Sequence, residues 1–379
     1  MQAEVKAPSE MDRVRRYYLA FNLVRGVGAV RLGSLIAHFG DVESAWKAKP
    51  DELRAAGLGP KTAARMMAIR TDVDLDALEA SIRDQGIRIL ITEDDDYPRR
   101  LKEIEQPPPV LYVRGEWSTD DEFAVAIVGT RRMTAYGRQI TEHVATILAA
   151  SGVTVISGLA RGVDAVAHHA ALSAGGRTIA ILGSGVDRIY PPENRPLADR
   201  IISHGAILSD YPLGTAPESS NFPPRNRIIA GISMATVVVE AGDTSGALIT
   251  AEFAAEQGRD VFAVPGSILA PQSRGTNRLI QNGALPLLTP DDILQALDLQ
   301  RAGQHIEARH VLPANDVERQ LMQSLGSEPL HVDEIGNRTG LPVAKVSAAL
   351  VMMELKGMVR HMGGMQYIAV REVQSGYPA

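Results

Sequence analysis

The sequence predicts an α/β fold, a doubly wound, mostly parallel sheet with a helical unit before it and a helix-and-wing unit after it. Three observations carry that reading. Between residues 124 and 283, runs that are hydrophobic on both faces alternate with helical stretches, the pattern of parallel strands covered by helices. The first three runs begin about 25 to 30 residues apart, the length of a βα unit. Each run stops at a glycine-bearing turn, and arginines stand in or beside several of these turns.

Ahead of the sheet, LVRGVGAVRLGSLIAHFG and LRAAGLGPKTAARMMAIR form a short internal repeat, each placing a G-x-G hairpin (Gly26/Gly28 and Gly57/Gly59) between helical runs. Glycine makes such a turn without a Cβ, so backbone amides can approach a phosphate, with Arg31, Lys61 and Arg65 at hand. A purely structural helix pair, its glycines permitting close packing, accounts for the same pattern. Pro107-Pro108-Pro109 follows the acidic stretch Glu93 to Asp96 and precedes the strand-like VLYVRG, which points to a boundary near residues 100 to 120.

The strands of the sheet follow. AVAIVG (Ala124 to Gly129) stops at Gly129-Thr130-Arg131-Arg132, VTVISG (Val153 to Gly158) at a turn holding Arg161 and Gly162, and TIAILG (Thr178 to Gly183) at Ser184-Gly185-Val186-Asp187. MATVVVEAG (Met234 to Gly242) runs into Asp243-Thr244-Ser245-Gly246 and the helical ALITAEFAAEQG. Asp298 to Ala314 mixes Gln, Gly, His and Arg without a period and reads as a linker. Beyond it, Asp316 to Leu325, VDEIGNRTG and VAKVSAALVMMELKG predict three helices and MVRHMGGMQYIA a wing, together a winged helix. The third helix offers base edges little beyond Lys345, which favours protein contact or weak DNA contact over sequence reading.

Composition narrows the classes. A chain of 379 residues, 45% hydrophobic, suits two or three domains with sizeable cores. Without cysteine there is no disulfide framework and no thiolate metal site. The N-terminus has no apolar leader pattern and no run of about 18 apolar residues occurs, so the expectation is a soluble cytoplasmic protein. A net charge of −6 argues against gripping nucleic acid through bulk charge, so any grip must be local. Between Lys102 and Lys345 there is no lysine, and the fixed positive charge of the sheet region is all guanidinium, able to hold phosphate bidentately and to stack on a base. A GC-rich genome would produce the same bias, but it would not place arginines in the turns.

Sheets of this kind bind ligands at the carboxyl ends of their strands, where helix N–H groups favour phosphate. Gly129-Thr130-Arg131 stands at one such end. Phe222-Pro223-Pro224-Arg225-Asn226-Arg227 combines two arginines and an Asn with an aromatic, the ingredients of a phosphate clamp beside a stacking platform, though one Arg could pair within the fold and Phe222 could be core. Glu240 with Ser245 and Gly246 puts a carboxylate opposite a helix start. It could bond a base amine or act as a general base, and Ser245 also fits a plain N-cap. Asp164 and His168 lie one helical turn apart, but with no third ligand nearby a dipole-balancing Asp and a packed His read better than a metal pair. The turn G-T-R-R-M-T-A-Y-G is not G-x-G-x-x-G, and no acidic residue follows at the ribose-binding distance, which argues against a nicotinamide or flavin enzyme.

AIVGTRRMTAYG, SGLARGVDAVAHHAAL, TIAILGSGVDRIYPPENRPL, NFPPRNRIIAG, VVVEAGDTSGALITAEFAAEQGR and the PGS followed by SRGTNRLIQNGA resemble, in order, the DNA-processing family DprA, also called Smf. The resemblance implies an extended Rossmann-like sheet domain and a sterile-alpha-motif-like N-terminal unit. It implies a protein that binds single-stranded DNA, protects incoming DNA during natural transformation and loads the RecA recombinase onto it. It also implies a homodimer through the Rossmann-like domain, with no catalysis, cofactor, metal or membrane. The expected division is 1–85 helical, 86–298 Rossmann-like and DNA-binding, 299–314 linker, and 315–379 winged helix. The family motif puts a DNA-contacting arginine at Arg131, usually as G-S-R, and Thr130 keeps the hydroxyl. The expected nucleic-acid-binding residues are Gly129, Thr130, Arg131, Phe222, Arg225, Asn226, Arg227, Glu240, Ser245 and Gly246. The alternative is a nucleotide or phosphoribosyl hydrolase with Glu240 as base. Such enzymes use a P-G-G-x-G-T turn where this chain has only Pro265-Gly266-Ser267, and it has no nucleophile, base and orienter set.

Overall fold

A computed structural model describes residues 10–296, 316–325, 329–355 and 359–369. The chain divides into two units, residues 1–297 and 298–379. The predicted linker at 299–314 lies outside the described residues.

The first unit is organised by a nine-stranded sheet. Its strands are β1 (Ile87–Ile91), β2 (Val110–Gly115), β3 (Ala124–Val128), β4 (Thr154–Ser157), β5 (Thr178–Ile181), β6 (Gly205–Ser209), β7 (Ala235–Val238), β8 (Asp260–Ala263) and β9 (Leu285–Pro286). The order is β1-β2-β6-β5-β4-β3-β7-β8-β9. From β6 across to β9 every pairing is parallel, while β1 and β2 add an antiparallel margin. The chain steps outward from β3 to β6, then returns to lay β7 on the other side of β3. β3 and β7 therefore flank the switch point, where the loops after the two strands part and leave a crevice. Strands β3 to β7 are buried along their whole length, apolar on both faces because helices cover both.

The doubly wound expectation holds, and the antiparallel margin corrects the boundary expected near residues 100 to 120. Pro107 to Pro109 lie between two strands of one sheet and lead directly into β2. The Tyr97 hydroxyl donates to the Pro108 carbonyl at 2.7 Å, pinning the proline run to the sheet flank. Proline suits that place because a segment without ladder partners needs no N–H donors.

Helices Glu10–Asn22, Ala29–Phe39, Val42–Lys47, Pro50–Ala55, Pro60–Asp72 and Leu75–Asp84 precede β1. Phe21, Leu35, Trp46, Leu53 and Met66 belong to the same buried cluster as Ile91, Tyr112 and Ile207 of the sheet. The Tyr112 hydroxyl bonds Asn22 Oδ1 at 3.0 Å, and the Arg15 guanidinium meets the buried Asp94 at 2.8 Å. The helical layer and the sheet thus share one core.

The second unit contains helices Asp316–Ser324, Val332–Thr339 and Val343–Leu355 and strands β10 (Leu330–His331), β11 (Val359–Gly363) and β12 (Gln366–Ala369), ordered β10-β12-β11. Leu321, Val332, Ile335, Val346, Leu350 and Met353 form its core. Three helices and a two-residue hairpin through Gly364 and Met365 make the predicted winged helix, and both hairpin residues take positive φ, as this turn type demands.

Candidate functional site

The crevice is built from turns that press together. β3 ends at Val128, and a Cβ on Gly129 would lie 2.6 Å from Val163 Cγ2, so only glycine lets the chain turn there. The Thr130 amide donates to the Glu240 carbonyl at 2.7 Å, stitching the turn after β3 to the end of β7. Thr134 then caps helix Ala135–Ala150 by accepting from the Gly137 amide at 3.1 Å. Arg131 and Arg132, between the stitch and the cap, are left exposed.

Glu240 is 3% exposed and fully engaged. Its carboxylate accepts from the Thr134 amide at 2.8 Å and the Thr134 hydroxyl at 2.5 Å. It anchors a helix start beneath the crevice and does not line the cleft. The expectation that Glu240 contacts a base or serves as a general base is not met by this geometry, because its oxygens already hold the fold's own donors.

Helix Phe222–Ile232 enters from the other side, with Pro223 and Pro224 in the first turn, where a missing N–H costs nothing. Arg225 lines the cleft yet is only 5% exposed. Its guanidinium donates to the Gly158 carbonyl at 2.9 Å and to the Ile181 carbonyl, tying together the ends of β4 and β5. A Cβ on Gly158 would sit 2.6 Å from that guanidinium. Below lies Asp164, buried and accepting from the Gly158 and Ala160 amides at 3.1 and 3.3 Å. Burial pushes the Arg225 guanidinium down to about 10 against the pull of Asp164, so it stays charged at neutral pH. Burial pushes the Asp164 carboxyl up, opposed by Arg225.

Phe222 is half-buried and central. The Arg131 guanidinium lies 5.5 Å from its ring centroid, that of Arg225 5.9 Å, and the Tyr190 ring 6.0 Å at 32°. The cleft, about 750 Å³, is lined by Gly129 to Arg132, Tyr190, Phe222, Arg225 and Asn226, and across it by Thr244, Ser245 and Gly246. Ser245 caps helix Gly246–Glu256 through the Ala247 amide at 3.4 Å, and Asn226 Nδ2 donates to the Gly246 carbonyl at 3.2 Å. Eight of the ten expected residues therefore line the cleft.

Arg227 is elsewhere. It pairs with Asp210 at 2.7 Å, donates to the Gln106 carbonyl at 2.7 Å, and borders a different cleft with Glu103, Phe253 and Arg259. One helix cannot aim residues 225 and 227 the same way, since two positions are about 200° apart. Tyr190 is the residue that sequence reasoning missed. Aromatics are only 4% of the chain, so a tyrosine in the loop after a strand end was a usable signal. His168 is buried and bonded through Nδ1 to the Thr178 hydroxyl at 2.6 Å. Among the described residues no group of His, Asp and Glu is placed to hold a metal ion.

The fold is that of a doubly wound α/β protein with an open cleft at the switch point of its sheet. The sequence matches the family described as DNA recombination-mediator protein A over residues 88–298 and the DprA winged helix domain over residues 307–365. It is 38% identical over 388 residues to a protein named Smf from a Synechocystis species, covering 93% of this chain and 98% of that one. The X-ray structure of DNA processing protein A from Streptococcus pneumoniae superposes with a TM-score of 0.64 at 36% identity, covering 74% of this chain and 95% of that one. A structure of the Helicobacter pylori protein, titled for its unique single-stranded DNA binding mode, superposes with a TM-score of 0.50 at 32% identity, covering 56% and 95%. The chain belongs to the DprA family.

Proposed function

We propose that this chain binds single-stranded DNA in the switch-point cleft, without breaking bonds. One observation carries the reading: Arg131 is exposed, has no carboxylate hydrogen-bonded to it among the described residues, and stands over a half-buried Phe222 beside Tyr190. An unstacked base needs an aromatic platform and its phosphate needs a nearby cation, and this corner supplies both. The turn at Gly129 and Thr130 and the helix start at Ser245 and Gly246 line the cleft where the DNA backbone would run, with the Thr130 and Ser245 amides held by the Glu240 and Gly242 carbonyls. Arg225 and Asn226 shape the floor as positioning residues. The hydrolase alternative loses its base, since the Glu240 carboxylate is committed to Thr134.

In this reading residues 86–298 are the DNA-binding domain, flanked by a helical domain at 1–85, a linker at 299–314 and a winged helix at 315–379. The protein acts in the cytoplasm, protecting DNA taken up in natural transformation and loading RecA onto it, with no cofactor. No helix among the described residues is long and apolar enough to cross a membrane. Homodimerisation through the Rossmann-like domain is supported by β9, which among the described residues pairs with β8 alone and leaves Leu285 42% exposed, with Leu288 just beyond the strand 75% exposed.

Fluorescence anisotropy with labelled oligo-dT at two salt concentrations, and a matched duplex as control, tests the cleft. Binding should weaken steeply with salt, and Arg131→Ala should lower affinity about tenfold and reduce the log–log salt slope by about 1. Unchanged affinity in that variant would remove Arg131 from the interface.

A further inference from the structure

The glycine hairpins of the N-terminal repeat remain outside this reading. Residues 23–40 and 53–70 contain no Asp or Glu and six Lys or Arg: Arg25, Arg31, Arg54, Lys61, Arg65 and Arg70. The whole chain, by contrast, carries a net charge of −6. Arg54 is paired with Asp51, and Arg70 is half-buried over the Trp46 ring, donating to the Ala48 carbonyl. The other four are exposed, and among the described residues none has a carboxylate partner.

Folding brings them together. Arg65 Nη1 donates to the Arg25 carbonyl at 3.2 Å, Arg31 donates to the Gly26 carbonyl, and a Cβ on Gly26 would meet the Thr62 hydroxyl at 3.5 Å. The two hairpins are therefore in contact, with the Arg31 and Arg65 guanidiniums at the seam and the exposed Arg25 and Lys61 next to it along the chain. Gly26 and Gly57 turn the chain at φ of +103° and +90°, and no side chain caps either following helix. Four cations without carboxylate partners on two touching hairpins are complementary to a polyanion.

Which polyanion follows from what is missing beside the charges. The one aromatic in these two segments is Phe39, which packs edge-on against His38 at the far end of helix Ala29–Phe39. The seam has cations but no stacking platform, whereas the switch-point cleft has both. A single strand with bases unstacked gains from aromatic rings, while a duplex keeps its bases stacked inside and offers phosphates. We infer that the paired hairpins hold the sugar–phosphate backbone of duplex DNA, a second contact separate from the cleft. The chain can then engage the duplex part of a partly single-stranded molecule through the helical layer and the strand through the cleft.

The test uses the full chain and three labelled DNAs: oligo-dT, a blunt duplex, and the same duplex with a dT tail. Lys61→Glu is the first variant, since its side chain is exposed and makes no hydrogen bond or ion pair among the described residues. The triple variant Arg31→Ala/Lys61→Ala/Arg65→Ala is the second. Expected is at least a tenfold loss on blunt duplex for the triple variant, with its log–log salt slope reduced by about 3, and unchanged oligo-dT binding. Lys61→Glu should show the same selectivity with a smaller loss, and it guards against a folding defect in the triple variant. The inference is overturned if wild type fails to bind duplex, if both variants bind duplex as wild type does, or if Lys61→Glu weakens oligo-dT equally. Failure of oligo-dT binding by wild type would instead overturn the proposed cleft function.

Discussion

Two turns of this protein each carry a pair of arginines and turn them in opposite directions. The turn after β3 carries Arg131 and Arg132, and the first turn of helix Phe222–Ile232 leads to Arg225 and Arg227. In the first, the guanidiniums reach solvent. In the second they are turned inward, Arg225 onto the carbonyls that end β4 and β5 and Arg227 onto Asp210 and Gln106. An arginine at a strand end is thus a ligand group only if the fold has given it no partner of its own. In the proposed reading the inward Arg225 supports the outward arginines, because it ties two strand ends together beside Phe222.

That comparison predicts stability effects on one side and binding effects on the other. The largest is Arg225→Ala, which leaves two strand-end carbonyls without a donor and Asp164 without its counter-charge. Thermal or urea unfolding should show a loss of about 3 to 5 kcal/mol. Equal stability of variant and wild type would break the distinction between the turns.

The buried side should also make stability depend on acid. Burial pushes the His168 imidazole down to about 3, against 6.5 as its ordinary value. Below pH 6.5 only the unfolded chain takes up that proton, so the contribution of neutral His168 is fully present above 6.5 and is lost as the pH falls toward 3. The loss approaches ~1.4 kcal/mol per pH unit. Asp164 and Asp210, pushed up by burial, bind protons more readily when folded and oppose this loss from their raised folded values down to the ordinary carboxylate value. His168→Asn should flatten the fall in melting temperature between pH 6.5 and 5, and an unchanged fall would exclude His168 as its source.

On the outward side, Arg131→Ala should leave stability within about 0.5 kcal/mol of wild type while weakening oligo-dT. The smallest effect sharpens an intermediate case. Arg278 and Arg274 are exposed but lie 3.3 and 3.8 Å from Asp243, at the rim beside Thr244. Exposed pairs are weak, so Asp243→Asn should tighten oligo-dT binding no more than about threefold. A decrease in affinity would mean that Asp243 supports the cleft's shape and does not mask its neighbours.

The fold was readable to the extent that it rests on local patterns. Runs such as AVAIVG are apolar on both faces, the composition of a covered parallel strand, and their glycine turns and spacing separate them from helices. The antiparallel margin was not readable in this way, because nothing local to IRILI and VLYVRG says that they pair with each other across the proline run, or that VLYVRG pairs with β6. Among the residues that line the cleft, Gly129, Thr130, Arg131, Ser245 and Gly246 follow from the rule that strand ends face the ligand, and Phe222 from an aromatic standing beside an arginine pair. Tyr190 was hidden because its meeting with Phe222 spans 32 positions of sequence.

By itself, then, the sequence determined the periodic elements, the turns that close them, the lack of thiol chemistry and the absence of lysine from the sheet region. Only the tertiary structure decided what each polar side chain is for. Glu240 became an anchor because the Thr134 helix start arrives opposite it, and Arg225 became a brace because two strand ends converge on it. The physical reason is the cost of burying unpaired polar groups. A charge in a tight fold goes to whichever donor or acceptor would otherwise be unsatisfied, and the identity of that partner depends on long-range packing that no local pattern encodes.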